Sequence, residues 1–249
     1  MTVTRLRGVL AAVAILASTG TARAQGPAPL DRGFLHANVG FQATSHDLTQ
    51  SGAVPVYDEP APFTAAGEID GGALFEIGGG YRVWGDVFAG ASYTRMSKDA
   101  DAVLTASAPH PVFFDQFRSV NGNLPGLAHT EQALHLQAVW RKPVTTDIDV
   151  AVSVGPTIYF VKQDLVSGLS VAETGSGGAV LTDITIGEAS ETGVGFHIGV
   201  DGTYLITRQW GAGAFLRYAG GSVDLESDAG TTSLDVGGFQ IGAGIRYRF

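Results

Sequence analysis

The chain has 249 residues, 45% of them apolar and only 16% charged, with 35 glycines, no cysteine and a formal net charge of −9. The acidic balance and the lack of a Lys/Arg cluster exclude nucleic acid as a partner, because phosphate binding needs concentrated cations. The missing cysteine excludes a disulfide framework, a thiolate metal centre and an acylated N-terminal cysteine.

The N-terminus carries Arg5 and Arg7, then the apolar stretch 8–17, then Ala22-Arg23-Ala24. A basic start, a short apolar core and a small-residue cleavage site describe a secretory signal peptide. We expect residues 1–24 to be this leader, cut once after Ala24 with Ala22 and Ala24 as the small residues of the site, and residues 25–249 to form one domain. No apolar run reaches the roughly 18–20 residues of a membrane helix. The apolar residues must therefore be dispersed, as alternation disperses them in lipid-facing strands.

Alternation begins after the Pro-containing lead-in. In the segment 35–43, Leu35, Ala37, Val39 and Phe41 share one face, and polar residues or glycine fill the other. Period two is the signature of a strand with one greasy and one wet face. The segment 73–83 repeats it with Phe75, Ile77, Tyr81 and Val83, and the next with Val87, Ala89, Ala91 and Tyr93. Leu134, Leu136, Ala138 and Trp140 mark a fourth, and Ile148 to Phe160 a fifth. Three more follow at Val194 to Tyr204, Trp210 to Tyr218 and Phe239 to Phe249. The pattern predicts an all-β fold, an eight-stranded antiparallel up-and-down transmembrane β-barrel, since about ten residues suffice for a tilted strand to cross a bilayer.

The joins alternate in length. Trp84-Gly85, residues 141–147 and residues 206–209 are short; 46–70, 97–128 and 164–190 are long and read as loops. Outer-membrane barrels pair short periplasmic turns with long outside loops. Trp84, Trp140 and Trp210 all fall at the short-turn ends, where Tyr247 and Phe249 join them. Indole favours a membrane–water boundary, so these five are expected to form an interfacial aromatic girdle.

The wet faces carry ionisable groups that would point into the bore. An eight-stranded bore is just wide enough for side chains to fill, and buried charges there must be paired. Glu76 and Glu131 are expected to pair with some of Arg82, Arg217 and Arg246. Either a structural plug or a gated polar pathway fits these residues, and inward glycines such as Gly78, Gly80, Gly242 and Gly244 suit both. For chemistry, His197 and Asp201 lie about 13 Å apart along a strand at 3.3 Å per residue. Neither His129 with Glu131 nor Ser45-His46-Asp47 offers nucleophile, base and orienter in order. No enzymatic activity, metal or cofactor is expected. The second long join holds Phe113, Phe114 and Phe117 beside Pro109-His110-Pro111. These rings could pack over the barrel mouth, continue a strand above the membrane, or contact an unidentified extracellular ligand.

The last residues, Gly244-Ile245-Arg246-Tyr247-Arg248-Phe249, resemble the terminal assembly signal of outer-membrane β-barrels. Gly244, Ile245, Tyr247 and Phe249 fit it, while Gly242 stands where that family has a polar residue. The pattern from about residue 30 to 249 is similar to the small eight-stranded OmpA-, OmpX- and OmpW-like barrels. That resemblance implies a cell outer membrane location, outer-membrane lipid as surroundings, and periplasmic chaperones and the barrel-assembly machinery as partners during biogenesis. No second globular region follows the barrel pattern, so the peptidoglycan-binding module of OmpA-type proteins is expected to be missing. Function is expected to be structural or surface interaction with a bore plugged by polar side chains. The alternatives are a narrow channel for small or hydrophobic solutes, as in the OmpW-like proteins, and a lipid-modifying barrel enzyme.

Overall fold

A computed structural model describes residues 32–175 and 177–249. The expected leader with Ala22 and Ala24 lies outside the described residues. Ten strands follow in order: β1 (Gly33–Gln42), β2 (His46–Val56), β3 (Glu59–Ile69), β4 (Ala73–Trp84), β5 (Val87–Pro109), β6 (Phe117–Pro143), β7 (Ile148–Glu173), β8 (Ala179–Leu205), β9 (Trp210–Ser227) and β10 (Gly230–Arg248). Eight of them close a ring, β1-β4-β5-β6-β7-β8-β9-β10 and back to β1, every ladder antiparallel.

The seam runs from Phe34 opposite Arg248 to Gln42 opposite Gln240. Gly33 and Phe249 exchange backbone bonds of 2.9 and 3.1 Å at its end. The backbones approach closely here: a Cβ on Gly244 would stand 1.9 Å from the Ala37 carbonyl oxygen, so only glycine fits. Three short turns and both ends of the ring lie on one rim, called here the turn end.

The long joins are strand, which corrects their reading as loops. Residues 46–70 fold into the β2–β3 hairpin, and β3 pairs with the upper half of β5 (Phe63 opposite Ala106 through Glu68 opposite Asp101). The other two joins simply lengthen β5–β6 and β7–β8 into hairpins of 23 to 27 residues per strand. Bulges between Ala100 and Ala102 and between Val166 and Gly168 shift the phase of the alternation, which hides the continuity from a period-two reading.

Side-chain polarity inverts along the ring. Near the turn end the outward positions are apolar and open: Leu35, Val39, Phe75, Ile77, Leu136, Val154, Ile198, Leu216 and Ile241. The inward positions there are polar and buried, among them Asn38, Glu76, His135, Asp149, His197 and Arg217. Farther along the longer strands β5 to β10 the sense reverses. On β9 the outward series Trp210, Ala212, Ala214, Leu216, Tyr218 gives way to Ser222, Asp224 and Glu226, while inward Arg217 gives way to Val223 and Leu225.

The switch occurs at one level around the ring. Outward Arg95 on β5 pairs with Gln132 on β6, which pairs with Phe160 on β7, which pairs with Thr192 on β8. On β8 the apolar outward run from Val194 to Tyr204 spans about 33 Å of strand, or about 25 Å of height at a tilt near 40°. An exposed apolar band of that height matches the hydrocarbon layer that such barrels cross, and it is far larger than the patches water-soluble surfaces tolerate.

Candidate functional site

Within the band, inward side chains line the bore in layers. At the turn end, Phe34, Phe88, Val139 and Ala151 form a small apolar cluster. The Arg141 guanidinium lies 4.1 Å from the Phe34 ring centroid, and Arg82 lies 5.6 Å from that of Phe88. Beside them Arg248 donates to Asp149 at 2.7 Å.

The next layer centres on Glu76. Arg217 Nη1 donates to its Oε1 at 2.7 Å and Asn38 Nδ2 to its Oε2 at 2.8 Å, while His36 Nε2 stands 3.7 Å away. Arg217 Nε continues to Gln240 at 2.9 Å, and Gln240 to Gln42 at 2.8 Å. Arg246 bridges this layer to Asp201, Nη2 to Oδ2 at 2.5 Å. Above it, His135 and His197 share the hydroxyl of Thr157 at 2.8 and 3.0 Å, with their rings edge to face 4.9 Å apart.

Of the five residues expected to form an ion-pair network, Glu76 and Arg217 meet directly. Arg246 takes Asp201 as its carboxylate, and Arg82 stacks on Phe88. Glu131 is a correction: its Oε2 accepts the backbone amide of Gly237 at 3.1 Å, and no arginine stands within ion-pair distance of it among the described residues. The physical reason is height. Glu131 sits above the arginines, beside the fully buried Tyr159, at the floor of the apolar region. Gly237 (φ +88°) lets Tyr159 in, since a Cβ there would come within 2.6 Å of the phenol oxygen. Asn38, Gln42, Gln240 and Arg141 belong to the lining and were not singled out from the sequence. The inward parity of each was the available signal; Arg141 was read as part of a turn.

Above Glu131 the interior is apolar. Leu48, Val54, Phe63 and Ile69 of the β2–β3 hairpin pack with Leu104, Val120, Leu127, Val161, Leu165, Val223, Leu225, Leu234 and Val236. Gln50 fixes the hairpin across the interior: its side chain accepts from Val166 N and donates to Val166 O, both at 2.8 Å. His46, weighed above for chemistry, holds Gly237 O at 2.8 Å, and His129 holds Gln163 at 2.9 Å.

The outermost feature is the β5–β6 turn. His110 Nδ1 accepts from the amides of Val112 and Phe113 at 3.1 and 3.3 Å, and its ring lies tilted against that of Phe113, 4.8 Å between centroids. Asp115 takes a left-handed φ of 59°. Phe113, Phe114 and Phe117 are exposed, Phe114 at 81%, so they do not pack over the mouth. Close by, Arg118 closes on both carboxylate oxygens of Glu173, with Nη2 to Oε1 at 2.8 Å. Tyr57 of the β2–β3 turn donates to the same Oε1 at 3.2 Å. The bond from Arg118 holds the Glu173 carboxyl below the usual carboxylate range.

At the turn end Trp84, Trp140 and Trp210 are half exposed or more. Trp210, Tyr247 and Phe249 lie in a row, Trp210 tilted against Tyr247 at 4.8 Å between ring centroids and Tyr247 stacked on Phe249 at 6.0 Å. Gly244, Ile245 and Tyr247 lie on the closing strand and Phe249 directly follows it, with Ile245 and Phe249 exposed.

No family model matches the sequence, and no curated protein does. Among solved structures, the chain is similar to the Neisserial surface protein A at 16% identity and a TM-score of 0.43, covering 87% of this chain and 97% of that one. It is also similar to the outer membrane protein OprG from Pseudomonas aeruginosa (11%, 0.43, covering 90% and 99%). The outer membrane protease OmpT from Escherichia coli is a third (9%, 0.48, covering 92% and 100%).

Proposed function

We propose that this outer-membrane β-barrel is a non-conducting surface protein whose work is done by its outer projection. One observation carries the reading: the apolar core formed by the β2–β3 hairpin fills the bore beyond the membrane band. The layer beneath is packed with hydrogen-bonded side chains, so the interior offers support and no path. The same interior packing stiffens the strands that carry the tip. The run from Arg95 to Pro109 is about 46 Å of strand at 3.3 Å per residue, which sets Phe113 and Phe114 well clear of lipid headgroups. Exposed rings held by a pre-formed turn are a contact surface that loses little conformational freedom on binding. No catalytic step is assigned to the chain.

The test is electrical. In planar bilayers the refolded protein is expected to give no stepwise conductance. A variant with residues 46–70 replaced by a short polar link is expected to give steps, because the apolar filling is gone. Steps of equal size from both proteins would overturn the reading in favour of a narrow channel.

A further inference from the structure

Between the turn-end aromatics and the Glu76 layer lies a chamber of about 50 Å³. That exceeds the roughly 10–15 Å³ that one water requires. Its wall carries three arginines, Arg141, Arg217 and Arg246, against two carboxylates, Glu76 and Asp201. Three minus two leaves one positive charge in excess. The pairing identifies its owner: Arg217 is committed to Glu76 at 2.7 Å and Arg246 to Asp201 at 2.5 Å. Arg141 has no carboxylate within 4.0 Å among the described residues, and aromatic faces are its neighbours, Phe34 at 4.1 Å and Phe88 at 5.5 Å. It is only 5% exposed. Two guanidinium groups on this wall also have spare donors: Arg141 Nε and Arg217 Nη2 are buried without a hydrogen-bond partner among the described residues.

A buried guanidinium that no carboxylate contacts is costly, and Asp201 and Asp149 act on Arg141 only from beyond contact distance. Water would satisfy the N–H groups and leave the charge. A small anion does both. We propose that the chamber binds one monovalent anion of halide size, held by the free donors of Arg141 and Arg217.

The experiment is a chloride titration of the full mature protein in detergent, read by the ³⁵Cl NMR line width. Broadening is expected to saturate, to be displaced by bromide and to ignore gluconate at equal ionic strength. The variant Arg141→Met should weaken chloride binding at least tenfold, while Arg95→Met, on the lipid-facing side, should leave it unchanged. Crystals grown in bromide provide a second arm that needs no variant: one anomalous peak is expected in the chamber. Absence of saturable broadening, wild-type affinity in Arg141→Met, or bromide found only on the outer surface would each overturn the proposal.

Discussion

Glu76 shows how much one inward position decides. It is 3% exposed in the middle of the membrane band, and Arg217, Asn38 and His36 all face it. Removing one partner of a buried pair strands the other, at a cost of about 3–5 kcal/mol. Glu76→Gln and Arg217→Gln are each expected to destabilise the barrel by about that much in urea unfolding from lipid micelles. The double variant should cost less than the sum, with a coupling of about 1–3 kcal/mol. Strict additivity would remove the direct pair. Parity alone put Glu76 and Arg217 on the wet face, and the need to neutralise buried charge made them partners. Glu131 obeyed the same parity, yet height along the strand decided its partner. Register between distant strands sets height, and no local pattern encodes it.

At the scale of elements, the outer hairpins were the least legible part. The β2–β3 hairpin alternates Ala61, Phe63, Ala65 and Ile69 inward against Pro62, Thr64 and Glu68 outward. Pro55, Pro60 and Pro62, which read as loop residues, all sit at outward positions that carry no inward packing. Small inward residues such as Ala102, Ala106 and Ala108 weaken the contrast further, because a methyl group is a faint apolar signal. Above the membrane three of the four outer hairpin tips are tied through Arg118, Glu173 and Tyr57. The Glu173 carboxyl has its folded pKa lowered, so its contribution is present above the unfolded value of about 4.3 and fades as pH falls through the folded value. The tie should hold unchanged from neutral pH to about 5 and release only in stronger acid. Amide hydrogen exchange in residues 168–180 is the readout. Glu173→Gln should show at pH 7 the faster exchange that the parent reaches only in acid. Equal protection in both proteins at pH 7 would refute the tie.

Across the whole molecule, the inversion of polarity divides one continuous set of strands into two media. The prediction at this scale concerns a single substitution made at two heights. Arginine at Val39 or Ile198, on the apolar band, should cost about 2–4 kcal/mol in lipid. Arginine at Ser233, outward on β10 beyond the switch level, should change stability by less than about 0.5 kcal/mol. Unfolding titrations in the same lipid measure both, and equal costs would mean that the band is not where hydrocarbon sits. The ring of eight and its inner and outer faces could be read from period two, because lipid and bore impose opposite demands on neighbouring residues. The second, apolar interior could not, because its alternation has the ordinary sense of a water-soluble sheet and its phase slips at each bulge.

The route of the chain gives the hairpin an unusual dependency. β2 and β3 are made second and third, yet the surface they bury against includes Leu234 and Val236 of the last strand. Their greasy faces have no complete home until that strand docks along β1. Closing the cylinder and seating this hairpin are thus expected to be a single late event, and any holding factor that shields the nascent chain must cover this early segment longest.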